Sequence, residues 1–383
     1  MNIVIIGCGA AGAGAAAQLR KLLPDAGIKM FSSEKYPFYS RPRVIEYLAG
    51  GLEKEKLFIK KEDWYKENNI EFYTEEKITS INPSDKTVHS ENRGKISYDK
   101  LLIAAGAHSF MPDFKCTGKG LFTLRTIDDA DAIMNYAKGK KKGAVIGGGL
   151  LGIEAANSLT AHGLEIEIIE FFERLLPRQL DDEGAGILQK MLEEKGLRFR
   201  LGKQTEKITE EGGGLEISFK DGEKTSAEMI LVSAGIRPNR DIIKDTGIEA
   251  DKGIKVNGNL RTNIEDIYAC GDIAEFNGVI YGIWPAASEQ AVIAAKNIAG
   301  ENEEYKGSVM STKLKVAGID LASVGEITEE NGAKGKSYGD GRVFRKIFEK
   351  DGKIAGAILI GDTKDYMKLQ KSISEGKKAE ELV

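Results

Sequence analysis

A glycine-rich turn directly after the first apolar run places the strongest constraint on how this chain can fold. Residues 2–6 form a short β-branched stretch, and Gly7, Gly9 and Gly12 follow with the spacing G-x-G-x-x-G before a helix of small residues. In dinucleotide-binding turns these glycines allow the tight turn, the approach of a pyrophosphate and close helix–strand packing. The phosphates then lie over the helix N-terminus. We interpret the stretch as a nucleotide-binding loop; the alternative is a glycine-rich turn of another α/β sheet.

The same arrangement occurs a second time, 140 residues later. Residues 144–146 form an apolar strand, and the loop that follows contains Gly147, Gly148, Gly149 and Gly152. In both copies a later apolar strand ends in glycine, 99 residues after the loop begins in the first copy and 88 in the second. A large internal repeat of this kind is hard to obtain by chance. The sequence therefore predicts two similar α/β units.

Composition narrows the class of protein. A chain of 383 residues is long enough for two or three domains. Its formal net charge of −4 gives no basic surplus for nucleic acid. No stretch approaches the roughly 20 apolar residues of a membrane span, and the first apolar run lacks the basic region of a signal peptide. We expect a protein that binds neither nucleic acid nor membrane.

The chain contains three cysteines and three histidines, too few and too scattered for a metal cluster. Cys8, Cys116 and Cys270 have no C-x-x-C or zinc spacing, a pattern that suits a reducing cytoplasm. The sequence predicts a cytoplasmic protein without a metal site.

Apolar periodicity and turn residues predict the secondary structure. We expect helices over 55–69, 182–195, 285–299 and 364–376, short strands within 71–98, a strand over 261–272, a hairpin turn at 221–222, and a hairpin from 342–349 and 353–360.

The second strand, residues 28–31, ends in Ser32-Ser33-Glu34, where dinucleotide folds commonly place an acid that binds ribose hydroxyls. Spacing does not choose between Ser33 and Glu34. The loop Tyr39-Ser40-Arg41-Pro42 follows, and much later a strand ends in Gly271-Asp272.

The order of these motifs resembles the two-dinucleotide flavoprotein reductases of the pyridine nucleotide–disulfide oxidoreductase superfamily. The resemblance covers residues 1–308 and consists of G-x-G-x-x-G, an Ala-Ala-Gly strand end, G-G-G-x-x-G-x-E and T-x-x-x-x-Y-x-x-G-D, in that order. The loop at 39–42 and the short C-terminal part resemble the NADH:rubredoxin reductase branch, a relative of the flavin modules of nitrite reductases and of ferredoxin reductases.

This resemblance implies an α/β fold with two nested, Rossmann-like dinucleotide-binding units and a small α+β C-terminal domain. The expected FAD-binding domain comprises residues 1–107 and 236–308, and the expected NAD(H)-binding domain comprises 108–235. Residues 309–383 would form the small C-terminal domain.

The resemblance also implies the residues of the FAD site. These are Gly7, Gly9, Ala11, Gly12, Ser33, Glu34, Arg41, Pro42, Ile78, Ala105, Gly106, Asp272 and Lys315. Asp272 would accept hydrogen bonds from the ribityl hydroxyls; its alternative role is to cap the next helix. Lys315 would reach the flavin, or it simply lies on the wet face of a strand. Glu46 stands where some relatives have a lysine.

For the NAD site the resemblance implies Gly147, Gly148, Gly149, Leu150, Leu151, Gly152, Glu154, Glu170 and Gly235. Glu170 would accept from both ribose hydroxyls of NADH and repel the 2′-phosphate of NADPH. Arg174, four residues on, would weaken that preference. Glu154 would lie near the nicotinamide and flavin, or it is a charge on the helix surface.

The sequence lacks the cysteines and the histidine that disulfide reductases use for catalysis, and this determines the mechanism that we expect. Residues 36–50 contain no cysteine, where disulfide reductases carry a pair, and no histidine follows His162. Cys8 and Cys270 are expected to be small core residues. We therefore expect no internal disulfide and no catalytic protein side chain, only Arg41, Glu154 and Lys315 near the flavin.

The resemblance implies an enzyme in which NADH gives a hydride to N5 of FAD and electrons then leave to an external acceptor, rubredoxin or a similar small acidic iron protein. The alternatives are an NADH oxidase, the flavin module of a nitrite reductase, and a flavin-binding redox sensor without turnover. The lysine run at 138–142 is a solvated connector or a docking surface for the acidic carrier. The protein is expected to be a monomer or a homodimer.

Overall fold

The computed structural model of the chain describes residues 1–116, 119–308, 311–329, 331–339 and 341–378. The strands are β1 Asn2–Ile6, β2 Gly27–Phe31, β3 Ile70–Tyr73, β4 Ile78–Asn82, β5 Thr87–Ser90, β6 Gly94–Ser97, β7 Lys100–Ile103, β8 Ala107–Ser109, β9 Leu121–Thr123, β10 Lys142–Ile146, β11 Glu165–Ile169, β12 Arg198–Arg200, β13 Thr205–Glu211, β14 Gly214–Phe219, β15 Lys224–Ala227, β16 Met229–Val232, β17 Ile236–Pro238, β18 Ile254–Val256, β19 Ile267–Ala269, β20 Ala274–Phe276, β21 Ser311–Val316, β22 Ile319–Gly325, β23 Lys334–Gly339, β24 Phe344–Lys350 and β25 Lys353–Ile360. The α-helices are α1 Ala10–Leu22, α2 Val44–Leu48, α3 Glu62–Glu67, α4 Ile127–Ala137, α5 Leu150–Thr160, α6 Asp182–Glu193, α7 Trp284–Ile298 and α8 Tyr366–Ser374. Short 3₁₀ helices cover Arg41–Arg43, Lys54–Leu57 and Arg240–Ile243.

The chain divides into two compact units. The first comprises Met1–Arg41, Glu53–His108 and Ile236–Val309. Its central sheet has the strand order β19-β7-β1-β2-β3, and all its neighbouring strands are parallel. Strand β1 is buried from its second residue onward, as expected for a strand covered on both faces. The small residues of α1 let that helix pack closely against α7, with a virtual Cβ on Gly14 only 3.3 Å from the Ala291 side chain.

The second unit comprises Pro42–Leu52, Ser109–Gly235 and Met310–Val383. It contains a parallel sheet of order β12-β11-β10-β16-β9. It also contains the antiparallel sheet β13-β14-β15 and the antiparallel C-terminal sheet β21-β22-β25-β24-β23, against which α8 packs.

The two parallel sheets have equivalent strand orders. In each, the strand before the glycine loop (β1 or β10) is central, with the next strand of the repeat on one side and the later glycine-ending strand on the other. Connections run to opposite sides of this central strand, so the chain creates a crevice at the carboxyl ends of the strands. Each unit therefore has one such crevice beside its glycine loop.

Most of the predicted elements are confirmed. Helices α6 and α7, the turn at 221–222 and the C-terminal hairpin β24–β25 agree with expectation. The helix expected over 55–69 was wrong in its first part, because Ile59 and Lys60 donate their N–H groups to the Phe38 carbonyl instead of continuing a helix. The strand expected over 261–272 is shorter, at Ile267–Ala269.

The predicted fold class, α/β with two dinucleotide-type parallel sheets and a smaller C-terminal part, is confirmed. The domain boundaries expected near residues 107, 235 and 308 stay predictions. Among the helices that the structure describes, none combines the length and the apolar character needed to cross a bilayer.

Candidate dinucleotide-binding sites

The first glycine of each loop is fixed by the protein itself. Gly7 has φ +105° and Gly147 has φ +118°, conformations that L side chains rarely adopt. Their N–H groups donate to the last carbonyls of β2 and β11, both at 2.8 Å. A Cβ atom would lie 2.2 Å from the Ala104 oxygen in the first loop and 2.3 Å from the Ser233 oxygen in the second. Both turns therefore require glycine.

The last glycine of each loop is fixed by helix packing. A Cβ atom on Gly12 would lie 1.9 Å from the Gly7 oxygen, and one on Gly152 would lie 1.9 Å from the Gly147 oxygen. Because the first helical turn lies directly on its own loop, any side chain at these positions would push helix and strand apart. The same close contact thus occurs in both units.

The middle glycines, Gly9 and Gly149, behave differently. Their φ values are −78° and −77°, which any residue adopts, and a Cβ atom on either would meet nothing within 4 Å. Each is the N-cap of its helix and leaves the first N–H groups without a side-chain cap. Neither backbone strain nor protein packing requires glycine at these two positions. The absence of a side chain leaves open space above the uncapped helix amides, where a pyrophosphate would bind. The residues present fit a dinucleotide in both units.

The strand that follows each helix ends at equivalent positions. Ser32 N–H donates to the Tyr73 carbonyl at 2.8 Å, and Glu170 N–H donates to the Arg200 carbonyl at 3.0 Å. By this register the counterpart of Glu170 in the first unit is Ser32, which sequence reasoning passed over. The difference in helix length accounts for the position of Ser32. Helix α1 has 13 residues and α5 has 11, so the equivalent position lies two residues farther from the loop in the first unit.

The two residues expected to bind the FAD ribose lie just beyond Ser32. Ser33 is exposed, whereas Glu34 is half-buried and engaged. The Tyr39 hydroxyl donates to Glu34 Oε2 at 2.6 Å, and the Arg41 guanidinium pairs with Oε1. Arg41 also donates to the Tyr39 hydroxyl at 2.8 Å. The structure thus joins Glu34 and Arg41 in one cluster at the carboxyl edge of the first sheet.

Asp272 lies beside the first loop. It follows Gly271, whose φ is +81° and whose virtual Cβ would lie 2.8 Å from the Ala11 side chain, in the first turn of α1. Burial lowers the pKa of Arg41, but Tyr39, Glu34 and Asp272 outweigh this effect and raise that pKa above its ordinary value. Asp272 is therefore close enough to interact electrostatically with the cluster. The alternative that Asp272 caps the next helix is wrong. Strand β20 intervenes, and the N-cap of α7 is Ile283.

The other residues expected at the FAD site differ in their burial and contacts. Ala105 and Gly106 follow β7, and their carbonyls accept from Asn239 at 2.7 and 3.0 Å. Ile78 is buried in the first core at the start of β4. Pro42 and Lys315 belong to the second unit, and both are exposed. Their roles toward the flavin stay predictions.

Glu170 lies inside the second loop. The side chain is only 6% exposed, and its carboxylate accepts from the N–H of Gly148 and, at 2.9 Å, from the N–H of Phe172. A Cβ atom on Gly148 would lie 3.1 Å from Glu170 Oε2, so the missing side chain of this second loop glycine makes room for the carboxylate. The acid is oriented by the same loop that would hold the pyrophosphate.

Three other residues of the expected NAD site flank this loop. Leu150 begins α5, Leu151 is 40% exposed in its first turn, and Gly235 follows β16 with φ +91°. The Gly235 carbonyl accepts from Phe110 N–H at 2.8 Å.

Glu154 is not a free charge on the helix surface. Its Oε1 accepts from the backbone N–H of Ala317 at 3.0 Å, in the turn between β21 and β22. Burial raises the pKa of Glu154, and the bond from Ala317 partly offsets this. Local sequence patterns do not indicate this contact, since 163 residues separate the partners.

Two of the cysteines are in environments that suppress thiolate formation. Burial raises the pKa of Cys8 to about 12, and its sulfur lies 3.1 Å from the Tyr65 hydroxyl. Burial alone raises the pKa of Cys270 to about 12. Within the described ranges no three His, Cys, Asp or Glu side chains converge as a metal site would require.

Two parallel sheets of equal strand order, each with a glycine loop open at its middle glycine, define the class of proteins with two dinucleotide-binding folds. The chain belongs to the pyridine nucleotide-disulphide oxidoreductase family, whose sequence pattern matches residues 1–291. Residues 311–377 match the rubredoxin NAD+ reductase C-terminal domain. The predicted family is thereby confirmed.

Three comparisons show how far the similarity extends. The chain is 36% identical over 385 residues to the NADH-rubredoxin oxidoreductase of Clostridium acetobutylicum, covering 98% of this chain and 95% of that protein. The solved structure of NADH:rubredoxin oxidoreductase from Clostridium acetobutylicum superposes with a TM-score of 0.85 at 34% identity, over 98% of this chain and 96% of that one. A nitrite reductase [NAD(P)H] of Bacillus subtilis is 36% identical over 373 residues, covering 96% of this chain and 46% of the relative.

The chain spans about half the length of some of these curated relatives, 46% and 49% of two Bacillus subtilis proteins. The second of these is an assimilatory nitrate reductase electron transfer subunit. The similarity to these two proteins is therefore confined to about half of each.

Proposed function

We propose that this chain is an FAD-dependent NADH oxidoreductase that passes electrons to a small external iron protein such as rubredoxin. The observation that carries the proposal is the pair of loops in which Gly9 and Gly149 leave open space over uncapped helix amides. FAD would be held by the first loop and NADH by the second. When bound, FAD would supply the redox chemistry, taking a hydride from NADH and releasing electrons to the acceptor.

The chain's own residues would bind and orient. Gly7, Gly9 and Gly12 would hold the FAD pyrophosphate, and Asp272 would accept from the ribityl hydroxyls. The N-terminus of α7, which has no side-chain cap and no acid in its first turn, would favour negative charge on a nearby ring. Glu170 would accept from the ribose hydroxyls of NADH. No protein acid or base is needed for these roles.

Two observations support an external acceptor. Cys8 and Cys270 have pKa values near 12, so neither offers a thiolate for an internal relay at neutral pH. The C-terminal residues 311–377 match a domain of rubredoxin NAD+ reductases, which supports rubredoxin as the partner. The lysine run remains a candidate docking surface, although Glu228 accepts from the N–H groups of Lys141 and Lys142 at 2.6 and 3.0 Å. The cytoplasmic location and a monomeric or dimeric state stay predictions.

An anaerobic reduction experiment tests the proposal. Protein loaded with FAD is mixed with NADH in a stopped-flow instrument, and the flavin absorbance is followed through repeated turnover. Rapid loss of the absorbance followed by reoxidation with rubredoxin is expected. Flavin that NADH does not reduce would contradict the enzyme and favour a redox sensor.

An acceptor panel separates the remaining alternatives. Rubredoxin, ferredoxin, oxygen and nitrite are supplied in turn to the NADH-reduced protein. Reoxidation by oxygen as fast as by rubredoxin would indicate an NADH oxidase. Reoxidation only after a sirohaem protein is added, with nitrite present, would indicate the flavin module of a nitrite reductase.

A further inference from the structure

The strand end that carries Glu170 is bordered by two cations. Arg174 lies in the short segment after β11, and this segment returns to the glycine loop, since Leu176 N–H donates to the Gly148 carbonyl at 3.2 Å. Lys203 lies after β12, and its N–H donates to the Glu170 carbonyl at 2.9 Å. A cation at either place would suit a phosphate on the adenosine ribose.

Both cations already have carboxylate partners. Arg174 Nη1 lies 2.8 Å from Asp182 Oδ1, and Lys203 Nζ lies 2.5 Å from Asp221 Oδ2 and 2.8 Å from Glu223 Oε1. Lys203 is 19% exposed, and the hydrogen bonds that it donates to its two partners raise its pKa. Arg200 also pairs with Glu223, and it pairs with Glu167 as well, both at 3.1 Å. Three positive charges thus face four carboxylates besides Glu170, so this group of residues is negative overall.

The geometry points to Asp182, Asp221 and Glu223 as residues that set cofactor specificity together with Glu170. By pairing with Arg174 and Lys203 they hold both cations away from a ribose 2′-phosphate, so that NADPH meets the Glu170 carboxylate without a counter-charge from either cation. This inference rests on the proposed function, because it assigns the second loop to a nicotinamide dinucleotide. It also explains how a cation four residues past Glu170 is compatible with a preference for NADH.

The test compares two adenosine fragments that differ only at the 2′ position. Binding of 5′-AMP and of 2′,5′-ADP is measured by calorimetry for the full-length protein, for Glu170→Gln, and for Glu170→Gln with Asp182→Asn. We expect the added Asp182→Asn change to strengthen 2′,5′-ADP binding about tenfold relative to 5′-AMP, the scale of one charge-assisted hydrogen bond. Adding Arg174→Met should abolish that gain.

The matched control removes an acid at the other end of β11, the strand that Glu170 follows. Glu165 begins β11 and pairs with Arg198 at 3.3 Å in an exposed position, so Glu165→Gln makes the same charge change away from the site. This variant should leave the ratio of the two affinities unchanged. A ratio that also stays within about twofold for Asp182→Asn, or a gain that survives Arg174→Met, would overturn the inference.

A second set of variants keeps the test decisive if Asp182→Asn impairs folding of α6. Asp221→Asn with Glu223→Gln should produce the same relative gain for 2′,5′-ADP. Lys203→Met together with Arg200→Met, which removes both cations that pair with Glu223, should abolish it. Altered fragment ratios with flavin that NADH cannot reduce would refute the proposed function alone. Normal reduction with unaltered ratios would refute only this inference, and failure of wild-type protein to bind 5′-AMP would refute both.

Discussion

The carboxylate of Glu154 in α5 accepts a hydrogen bond from the backbone N–H of Ala317, which lies in the turn between the first two strands of the C-terminal sheet. Ala317 has φ +48°, so the turn is formed by a residue in the left-handed region and not by glycine. A half-buried acid of the nucleotide-binding helix thus stabilises a tight turn that sequence distance alone would not connect with it.

This contact predicts a pH-dependent stability. Burial raises the folded-state pKa of Glu154 above its ordinary value of 4.5, so its contribution to stability is full below that value and is lost as pH rises through the folded pKa. Glutamine does not titrate and keeps an oxygen for Ala317. We expect the urea midpoint of Glu154→Gln to rise relative to that of wild type as the pH increases above 4.5.

Glu154→Ala is the matched control for that series. It also lacks the titrating carboxyl, but it leaves Ala317 N–H without its partner, so it should be less stable than the glutamine variant by about 1 kcal/mol at each pH. A wild-type midpoint that rises relative to Glu154→Gln toward neutral pH would show that the assigned pKa direction is wrong.

The glycine loops predict a separation of stability from binding. Gly9→Ala should leave the melting temperature of the apoprotein unchanged, because its Cβ meets nothing within 4 Å, yet weaken FAD binding at least about tenfold by obstructing the pyrophosphate. Gly149→Ala should do the same for NADH. Flavin fluorescence titration and thermal unfolding measure the two effects.

Gly12→Ala provides the contrast, since its Cβ would overlap the Gly7 oxygen at 1.9 Å. This variant should lose at least about 2 kcal/mol of stability whether or not FAD is present. If Gly9→Ala binds FAD as tightly as wild type, the first loop does not approach the pyrophosphate as proposed.

The burial of Cys8 and Cys270 predicts that neither thiol reacts with an alkylating reagent in the native protein. With pKa values raised to about 12 by burial, Cys8 and Cys270 should remain unlabelled when the native protein is treated with iodoacetamide near neutral pH. Peptide mass spectrometry of native and urea-unfolded samples distinguishes the three sites, and unfolding should make all three reactive. Rapid native labelling of Cys8 would reopen a redox role for that thiol.

The ion pairs of Lys346 predict that replacing this lysine lowers the stability of the protein. Its Nζ lies 2.6 Å from Asp181 Oδ2 and 3.1 Å from Glu183 Oε2, and the lysine is only 12% exposed. Lys346→Met would leave Asp181 half-buried without a counter-charge, and we expect a loss of about 2 kcal/mol in urea unfolding. Lys371→Met, which breaks an exposed pair with Glu375 on α8, should leave the midpoint nearly unchanged, and equal losses would contradict this account.

Local sequence was sufficient for the central features. Strands β1 and β10, their glycine loops and the helices that follow could be predicted because the steric requirements of Gly7 and Gly147 act over a few residues. Helix α6 was predicted because its acidic start, with Asp181 as N-cap, is also local.

Other features depend on partners far along the chain. The first part of the helix expected over 55–69 was wrong because Phe58 pairs with Tyr39, a contact that periodicity does not encode. Ser32 was missed as the counterpart of Glu170, because the equivalence shows only in the hydrogen bonds from these two residues to Tyr73 and Arg200 on the neighbouring strands. The ion pairs of Lys203 with Asp221 and Glu223 likewise depend on distant residues, because the turn between β14 and β15 must lie beside the end of β12.

The position of Lys346 has a practical consequence for protein engineering. Asp181, which caps α6, shares its carboxylate with this lysine from the C-terminal sheet, and Ile358 of that sheet lies 3.6 Å from a virtual Cβ on Gly184. A recombinant fragment truncated near residue 308 would therefore strip an apolar covering and a counter-ion from α6. Such a fragment should be poorly soluble, and separate production of the nucleotide-binding half would need compensating surface redesign.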